Sequence, residues 1–271
     1  MRFLGGSTAA TEGTEEFAAA CRAYKYVGPN LSLLERNGLE RLWAALPGNV
    51  YPPWLAPNVV SLMGGGAMMA ATTLMWLYSP DLDGAAPIWV YVAQAALIFA
   101  YQTLDGSDGK QARATGSGSG LGEMVDHGID ALVTASAACV VMDAGSFGLA
   151  NMHTWAILGA LQVVFFVSNM TLLHTGKQLI NDIDVIELHW AGIATLLGTA
   201  FVPGGTAAWR RPMAPFLAAE RLPAWMSDTL PYMAEDGGVS TRLFLACGCC
   251  VGTAANLAFY MYTVYRWVRC D

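Results

Sequence analysis

Long apolar stretches separated by short polar ones are the dominant pattern along the chain. Six stretches are long and apolar enough to predict membrane-spanning helices, since a helix needs about 20 apolar residues to cross the hydrocarbon core. The predicted spans cover residues 57–78, 86–108, 122–142, 152–173, 185–202 and 239–265, each bound being approximate. The pattern therefore predicts an all-α fold, a polytopic membrane helix bundle with six transmembrane spans in a membrane domain over residues 51–271.

The first fifty residues have a different pattern. Ser32 and Glu35 have the spacing of a capping box, which predicts a helix over about 32–46. Its apolar side chains lie on one side and its charged ones opposite, as in an interfacial amphipathic helix with Trp43 at the level of the lipid headgroups. We expect residues 1–50 to form a cytosolic tail followed by this helix. A soluble helix packed on the membrane domain is the alternative.

Composition agrees with a membrane protein and excludes other classes. Hydrophobic residues make up 55% of the chain and charged residues 13%, against roughly a quarter charged in an average domain. The net charge of -7 gives nucleic-acid binding no electrostatic support. The six cysteines form no CxxC pair and are expected to be packing residues. No secretory signal precedes the first span, which must therefore direct insertion.

The distribution of lysine and arginine predicts the orientation. Basic residues precede the first span, occupy the second and fourth junctions and follow the sixth span, whereas the first and third junctions have none. By the positive-inside rule, the N-terminus, the second junction and the C-terminus face the cytosol. The fifth junction, 203–238, carries three arginines against this rule, and we expect part of it to lie on the membrane surface.

Two pairs of aspartates flank the second junction. Asp105 and Asp108 are three residues apart, Asp126 and Asp130 are four apart, and each pair would share one face of a helix. Carboxylates at a membrane-spanning helix are costly and mark functional sites. Four like charges need a counter-charge, and Mg²⁺ suits oxygen ligands and phosphate substrates. The intervening Gly/Ser-rich residues 109–121 are expected to form a flexible loop whose N–H groups bind phosphate.

The full spacing of this segment is Asp105-x-x-Asp108-Gly109-x-x-Ala112-Arg113, eight residues, Gly122, three residues, Asp126, three residues and Asp130. It resembles the signature of the CDP-alcohol phosphotransferase family at every position. The flanking GSDGKQAR, LGE and DHG segments resemble its eukaryotic choline/ethanolamine phosphotransferase branch. The resemblance implies transfer of phosphocholine or phosphoethanolamine from CDP-choline or CDP-ethanolamine to diacylglycerol, in the endoplasmic reticulum or Golgi membrane.

The resemblance also implies roles for individual residues. The four aspartates would hold two Mg²⁺ (or Mn²⁺) ions. Gly109, Ala112 and Arg113 would contact the CDP group. Asn58, in the APN that opens the first span, would lie beside the nucleotide, although it could simply cap that helix. Glu187 would line the pocket for the alcohol headgroup.

His127 is the candidate general base. On an ideal helix, with Asp126 at 0°, Asp130 lies at about 40° and His127 at about 100°, so the imidazole is beside the aspartate face. It could be a structural hydrogen-bond donor or the base that activates a hydroxyl acceptor. The corresponding histidine of the family branch is taken as that base, which favours the catalytic interpretation.

Other functions remain open at this stage. A family member could use CDP-diacylglycerol as donor and a soluble alcohol as acceptor, although the histidine after Asp126 argues against it. A metal-dependent prenyltransferase would need two distant aspartate-rich motifs, and none occurs outside residues 105–130. A transporter with an acidic site would leave the spacing of Ala112 and Arg113 unexplained.

Members of the branch usually have more spans than the six expected here. We therefore expect the C-terminal helices of that branch to be missing, which leaves the oligomeric state open, with a homodimer as one candidate. The sequence does not distinguish choline from ethanolamine.

Overall fold

The fold is given by a computed structural model, which describes residues 31–211 and 240–270. The predicted N-terminal tail and most of the polar stretch 203–238 lie outside the described residues. The described residues form helices and no strand. A π-helical turn, Glu35–Leu39, leads into the first helix. The helices are α1 (Glu40–Asn49), α2 (Pro57–Tyr78), α3 (Ile88–Thr115), α4 (Gly120–Ala144), α5 (Met152–Thr175), α6 (Val185–Phe201), α7 (Ala207–Arg210) and α8 (Thr241–Cys270).

Three of the described helices, α2, α4 and α5, are long and apolar enough to cross a membrane, and α6 is a shorter apolar helix. The prediction of an all-helical membrane protein is therefore confirmed. The number of six spans stays a prediction. Helix α3 has 28 residues, but its C-terminal half carries the aspartates together with Lys110 and Arg113, which lower its mean hydropathy. Helix α6 has 17 residues.

The core lies between α2, α3, α4 and α6, and α5 packs with α8 beside it. Glycines bring α2 close to its neighbours. A Cβ atom at Gly64 would lie 3.4 Å from the Tyr101 ring on α3, and one at Gly65 would lie 3.0 Å from Ile129 on α4. Close approach between helices is therefore found at these two glycines, whereas a Cβ atom at the next residue, Gly66, would meet open space.

Helix α3 is longer than the sequence predicted. It continues through Asp108 to Thr115 and ends at Gly116, whose left-handed φ of 65° lets its N–H reach the carbonyls of Ala112 and Arg113. Helix α4 begins four residues later, with the Ser119 side chain accepting from the N–H of Gly122. The expectation of a flexible loop over residues 109–121 is thus wrong. Lys110, Gln111 and Arg113 are good helix formers, and a left-handed glycine supplies the actual stop.

The segment before α2 packs on the bundle. Trp43 was expected at the level of the headgroups, but its side chain is only 2% exposed and lies against α3. Half of the capping box forms, because the Glu35 carboxylate accepts from the N–H of Ser32 at 3.3 Å. Burial raises the pKa of Glu35, and that hydrogen bond offsets part of the effect. Leu33 and Leu42 stay exposed. The interfacial position of this segment stays a prediction.

A network of polar contacts lies at the other end of the bundle from the segment before α2. Asp143 at the end of α4 is fully buried and accepts from the Ser79 hydroxyl and from the N–H of Gly84 at 3.0 Å. Arg210 donates to the carbonyl of Asp83 at 3.0 Å, and Arg242 donates to that of Ser146 at 2.8 Å. These contacts give Arg210, which departs from the positive-inside rule, a structural role. Arg221 lies outside the described residues.

Replacing Asp143 with alanine is expected to destabilise the protein by roughly 2–4 kcal/mol, because the donors on Ser79 and Gly84 lose their buried acceptor. The measurement is thermal or denaturant unfolding in detergent. Asp81→Ala is the control, since Asp81 is exposed in the same connection. Equal stability of the two variants would contradict a stabilising role for the network.

Candidate active site

The two aspartate pairs meet at one end of the bundle. The C-terminal half of α3 carries Asp105 and Asp108, and the N-terminal half of α4 carries Asp126 and Asp130. Oxygen atoms of Asp105, Asp126 and Asp130 all lie within 4.8 Å of one another, close enough to hold one metal ion. The two pairs thus face each other, although Asp105 and Asp108 lie inside α3 rather than at its end.

Asp108 completes the group from one side. Its carboxyl group contacts that of Asp126, and the hydroxyl of Ser61 on α2 donates to it. Asp108 is buried, with 6% of its surface exposed. A third helix therefore takes part in the site by orienting one of its carboxylates.

Asp130 is oriented by an aromatic hydroxyl. Tyr101, one turn before Asp105 on α3, donates to an Asp130 oxygen at 2.7 Å. The Tyr101 ring packs edge-to-face on His189 of α6, with 5.4 Å between ring centroids. Sequence reasoning missed both Ser61 and Tyr101. The available signals were a lone serine in an uncharged span and a tyrosine four residues before the first aspartate.

The donor set of this cluster fits divalent hard cations. Its ligands are carboxylate oxygens, which Mg²⁺ and Mn²⁺ prefer. One oxygen of Asp126 is buried and has no hydrogen-bond partner among the residues described, which leaves it free to bind an ion. Lys110, two residues after Asp108, does not neutralise the cluster but pairs with Glu40 at 2.7 Å. The site can therefore bind a divalent metal ion.

The expected substrate-binding residues lie beyond the aspartates. Arg113 is exposed and folds back along α3, so that a Cβ atom at Gly109 would lie 3.7 Å from its guanidinium. Asn58 lies across from the start of α4, since a Cβ atom at Gly122 would lie 3.2 Å from its side-chain oxygen. The carbonyl of Ala112 accepts from the N–H of Gly116. The structure thus places Arg113 beside Gly109, and Asn58 at the neighbouring helix start.

His127 is half-buried on α4, directly after Asp126. It lies one turn from Glu123 on one side and near Asp130 on the other, close enough to interact with both charges. Its position beside the aspartate face agrees with the helical geometry, and its role as base stays a prediction.

Glu187 has a clear structural role. One oxygen accepts from the Ser32 hydroxyl and the Leu34 N–H, both at 2.8 Å, and the other accepts from the N–H of Asp184 at 3.0 Å. It forms the capping box of α6 and fastens the N-terminal segment to that helix. Its contact with the alcohol headgroup stays a prediction. Both of its carboxylate oxygens already accept hydrogen bonds from the protein.

Comparison with known proteins agrees with the geometry. The family described as "CDP-alcohol phosphatidyltransferase" matches residues 54–219, which is more than half of the chain. Choline/ethanolaminephosphotransferase 1 of Arabidopsis thaliana is 41% identical over 51% of this chain and 36% of its own length. Cholinephosphotransferase 1 of Homo sapiens is 33% identical over 69% of this chain and 45% of its own.

Cholinephosphotransferase 1 of Gallus gallus is 30% identical over 89% of this chain and 65% of its own length. The matched region therefore spans between about a third and two thirds of these relatives.

Replacing Glu187 with alanine is expected to lower the stability of the protein by about 2–3 kcal/mol, since three partly buried donors lose a charged acceptor. Unfolding in detergent measures the loss. The control is Asp182→Ala, which removes the exposed pair between Arg36 and Asp182 on the same segment and should cost at most about 1 kcal/mol. A Glu187→Ala protein of unchanged stability but lower substrate affinity would instead support the headgroup contact.

Proposed function

The chain belongs to the CDP-alcohol phosphatidyltransferase family, and on that premise we propose that it transfers phosphocholine or phosphoethanolamine from a CDP-alcohol to diacylglycerol. The products are the phospholipid and CMP. The observation that carries the proposal is the meeting of Asp105, Asp126 and Asp130 at one point of the bundle. The names of the relatives, choline/ethanolaminephosphotransferase and cholinephosphotransferase, support these two donors.

Each residue has a proposed task. Asp105, Asp108, Asp126 and Asp130 would hold two divalent ions, Mg²⁺ or Mn²⁺, which would supply positive charge to the phosphates when bound. Ser61 and Tyr101 keep two of the carboxylates in position through the hydrogen bonds described above.

The donor is proposed to lie along the end of α3. Arg113 offsets negative charge on the transferred phosphate. Gly109 and Ala112 leave space for the diphosphate beside the guanidinium, and Asn58 contacts the nucleotide from the start of α2. The open side of Gly109 supports this placement, since only the Arg113 guanidinium would approach a Cβ atom there.

His127 is proposed as the general base. Its imidazole takes the proton from the diacylglycerol hydroxyl as that oxygen bonds to the phosphorus bearing the amino alcohol. The bond from this phosphorus to the bridging oxygen breaks, and CMP leaves with the electron pair. An imidazole side chain is suited to accepting a proton near neutral pH.

The acceptor is proposed to enter from the bilayer. An apolar groove of about 230 Å³ lies between α2 and α4 and reaches Ile129, the residue before Asp130. Its wall includes Leu62, Gly65, Met69, Ile129 and Leu132. This surface supports a membrane lipid as one of the substrates, and both diacylglycerol and CDP-diacylglycerol are membrane lipids. The names of the relatives, which are phosphotransferases for choline or ethanolamine, favour diacylglycerol over the alternative in which CDP-diacylglycerol is the donor.

Several apolar helices indicate an integral membrane protein. We propose that it resides in the endoplasmic reticulum or Golgi, with the aspartate cluster facing the cytosol, because the basic residues favour that side. A homodimer remains a proposed assembly.

The proposal is tested by release of CMP from labelled CDP-choline and CDP-ethanolamine with diacylglycerol and Mg²⁺. We expect turnover of at least one donor, none in excess chelator, and none by Asp126→Asn although that variant still inserts. CDP-diacylglycerol with inositol or glycerol phosphate is the comparison reaction. Turnover of that pair alone would establish the alternative, and turnover in excess chelator would exclude metal dependence.

Activity in sealed, cytosol-side-out vesicles tests the orientation, because a CDP-alcohol does not cross a bilayer.

His127→Ala is expected to lower turnover by about 10²–10⁴-fold, the usual contribution of a general base. Affinities for the CDP-alcohol and Mn²⁺ should stay near those of the unchanged protein, since the ring is not a metal ligand in this proposal. Gly159→Ala, at an exposed helical position away from the site, is the control. Retained turnover, or loss of Mn²⁺ binding comparable to that of Asp126→Asn, would refute the assignment.

A further inference from the structure

The turn of α3 that carries the first aspartate pair has two distinct sides. On an ideal helix with Asp105 at 0°, Asp108 lies at about -60° and Gly109 at about 40°, facing α4. Positions 106, 107, 110 and 111 lie between about 100° and 240°, on the opposite side. The segment before α2 contacts all four of these positions.

Three of the contacts are polar. The Tyr51 hydroxyl lies 2.8 Å from that of Ser107, which is fully buried. The Lys110 ammonium pairs with Glu40 at 2.7 Å. The amide of Gln111 donates to two carbonyls in the connection to α2, those of Pro52 at 3.2 Å and Leu55 at 2.9 Å.

The fourth contact is a tight steric one. Trp43 of α1 lies against Gly106, and a Cβ atom at position 106 would come within 2.5 Å of two ring carbons and 2.8 Å of a third. The indole cannot easily retreat, because its side chain is 2% exposed and the Lys110 ammonium lies 5.8 Å from its ring centroid. The backbone between Asp105 and Ser107 therefore rests directly on the ring.

We infer that Trp43 is a positioning residue for the metal-binding carboxylates. Its indole packs on the back of the α3 turn, sets the distance of that turn from α4, and so fixes Asp105 and Asp108 relative to Asp126 and Asp130. The inference rests on the proposed metal-dependent function, because it assigns the metal-binding geometry to a residue that touches neither metal nor substrate.

Gly106→Ala is the direct test. Alanine is the better helix former, so α3 itself should tolerate the change, whereas the three nearest atoms that a new Cβ atom meets all belong to the Trp43 ring. We expect the affinity for Mn²⁺ to fall by about 10–100-fold, as when residues supporting metal ligands are altered. The measurement is loss of the free Mn²⁺ EPR signal on the purified full chain in detergent, below the melting temperature. Gly159→Ala, where a Cβ atom meets nothing within 4 Å, is the matched control.

The complementary variant separates this contact from general damage. Trp43→Leu in the Gly106→Ala protein frees the space that the new methyl group needs, so the double variant should recover Mn²⁺ affinity relative to Gly106→Ala. If Gly106→Ala cannot be purified folded, recovery of a folded, Mn²⁺-binding double variant supports the inference equally. A double variant no better than Gly106→Ala overturns it.

Trp43→Leu alone decides between positioning and simple packing. We expect it to weaken Mn²⁺ binding as well as lower the melting temperature, because the turn loses its support. A lower melting temperature with unchanged Mn²⁺ affinity makes Trp43 a packing residue and overturns the inference. If the unchanged protein does not bind Mn²⁺, the proposed metal site itself is wrong. This outcome is measured on the unchanged protein, so it is distinguishable from a failure of the inference about Trp43.

Discussion

Repulsion among four neighbouring carboxylates is the constraint on which the rest of this structure depends. Two unit charges 4 Å apart repel by about 4 kcal/mol at an effective dielectric constant of about 20, and Asp105, Asp126 and Asp130 offer oxygens within 4.8 Å of one another. Such a group needs a counter-charge or a shared proton, and without a bound ion it stays together only where the surrounding helices hold it in place. The neighbouring contacts fit that need, since Ser61 and Tyr101 each donate to a carboxylate from outside the cluster.

Close helix packing supplies this support. Gly64 and Gly65 let α2 approach α3 and α4 together, so the helix that provides Ser61 also contacts both aspartate-bearing helices. At the far end of the same helices, Asp143 joins the end of α4 to the connection between α2 and α3. Polar contacts of Asp143 thus stabilise one end of the bundle, and the carboxylates that repel one another lie at the other end.

The sequence predicted the helices and the aspartate cluster because both follow from local patterns. Apolar length predicts a span, and spacings of three and four residues place carboxylates on one helical face. It failed where tertiary contacts decide. Residues 109–115 resemble a linker in composition, but Lys110 and Gln111 are good helix formers, and their contacts with Glu40 and with the connection to α2 hold them in α3. Trp43 was expected at the membrane interface because of its place on an amphipathic helix, but Gly106 on α3 leaves room for its indole, which is therefore buried.

Gly106 and Gly109 show why the glycines around the first aspartate pair are not interchangeable. They lie three residues apart on one helix. The Trp43 indole packs against Gly106, whereas the Arg113 guanidinium is the one group among the residues described that would come within 4 Å of a Cβ atom at Gly109. A side chain at position 106 would displace the turn that carries the carboxylates. A side chain at position 109 would instead occupy the space proposed for the diphosphate. In the proposed function, the missing Cβ atom at position 106 serves the geometry of the metal ligands, and the one at position 109 serves access of the substrate.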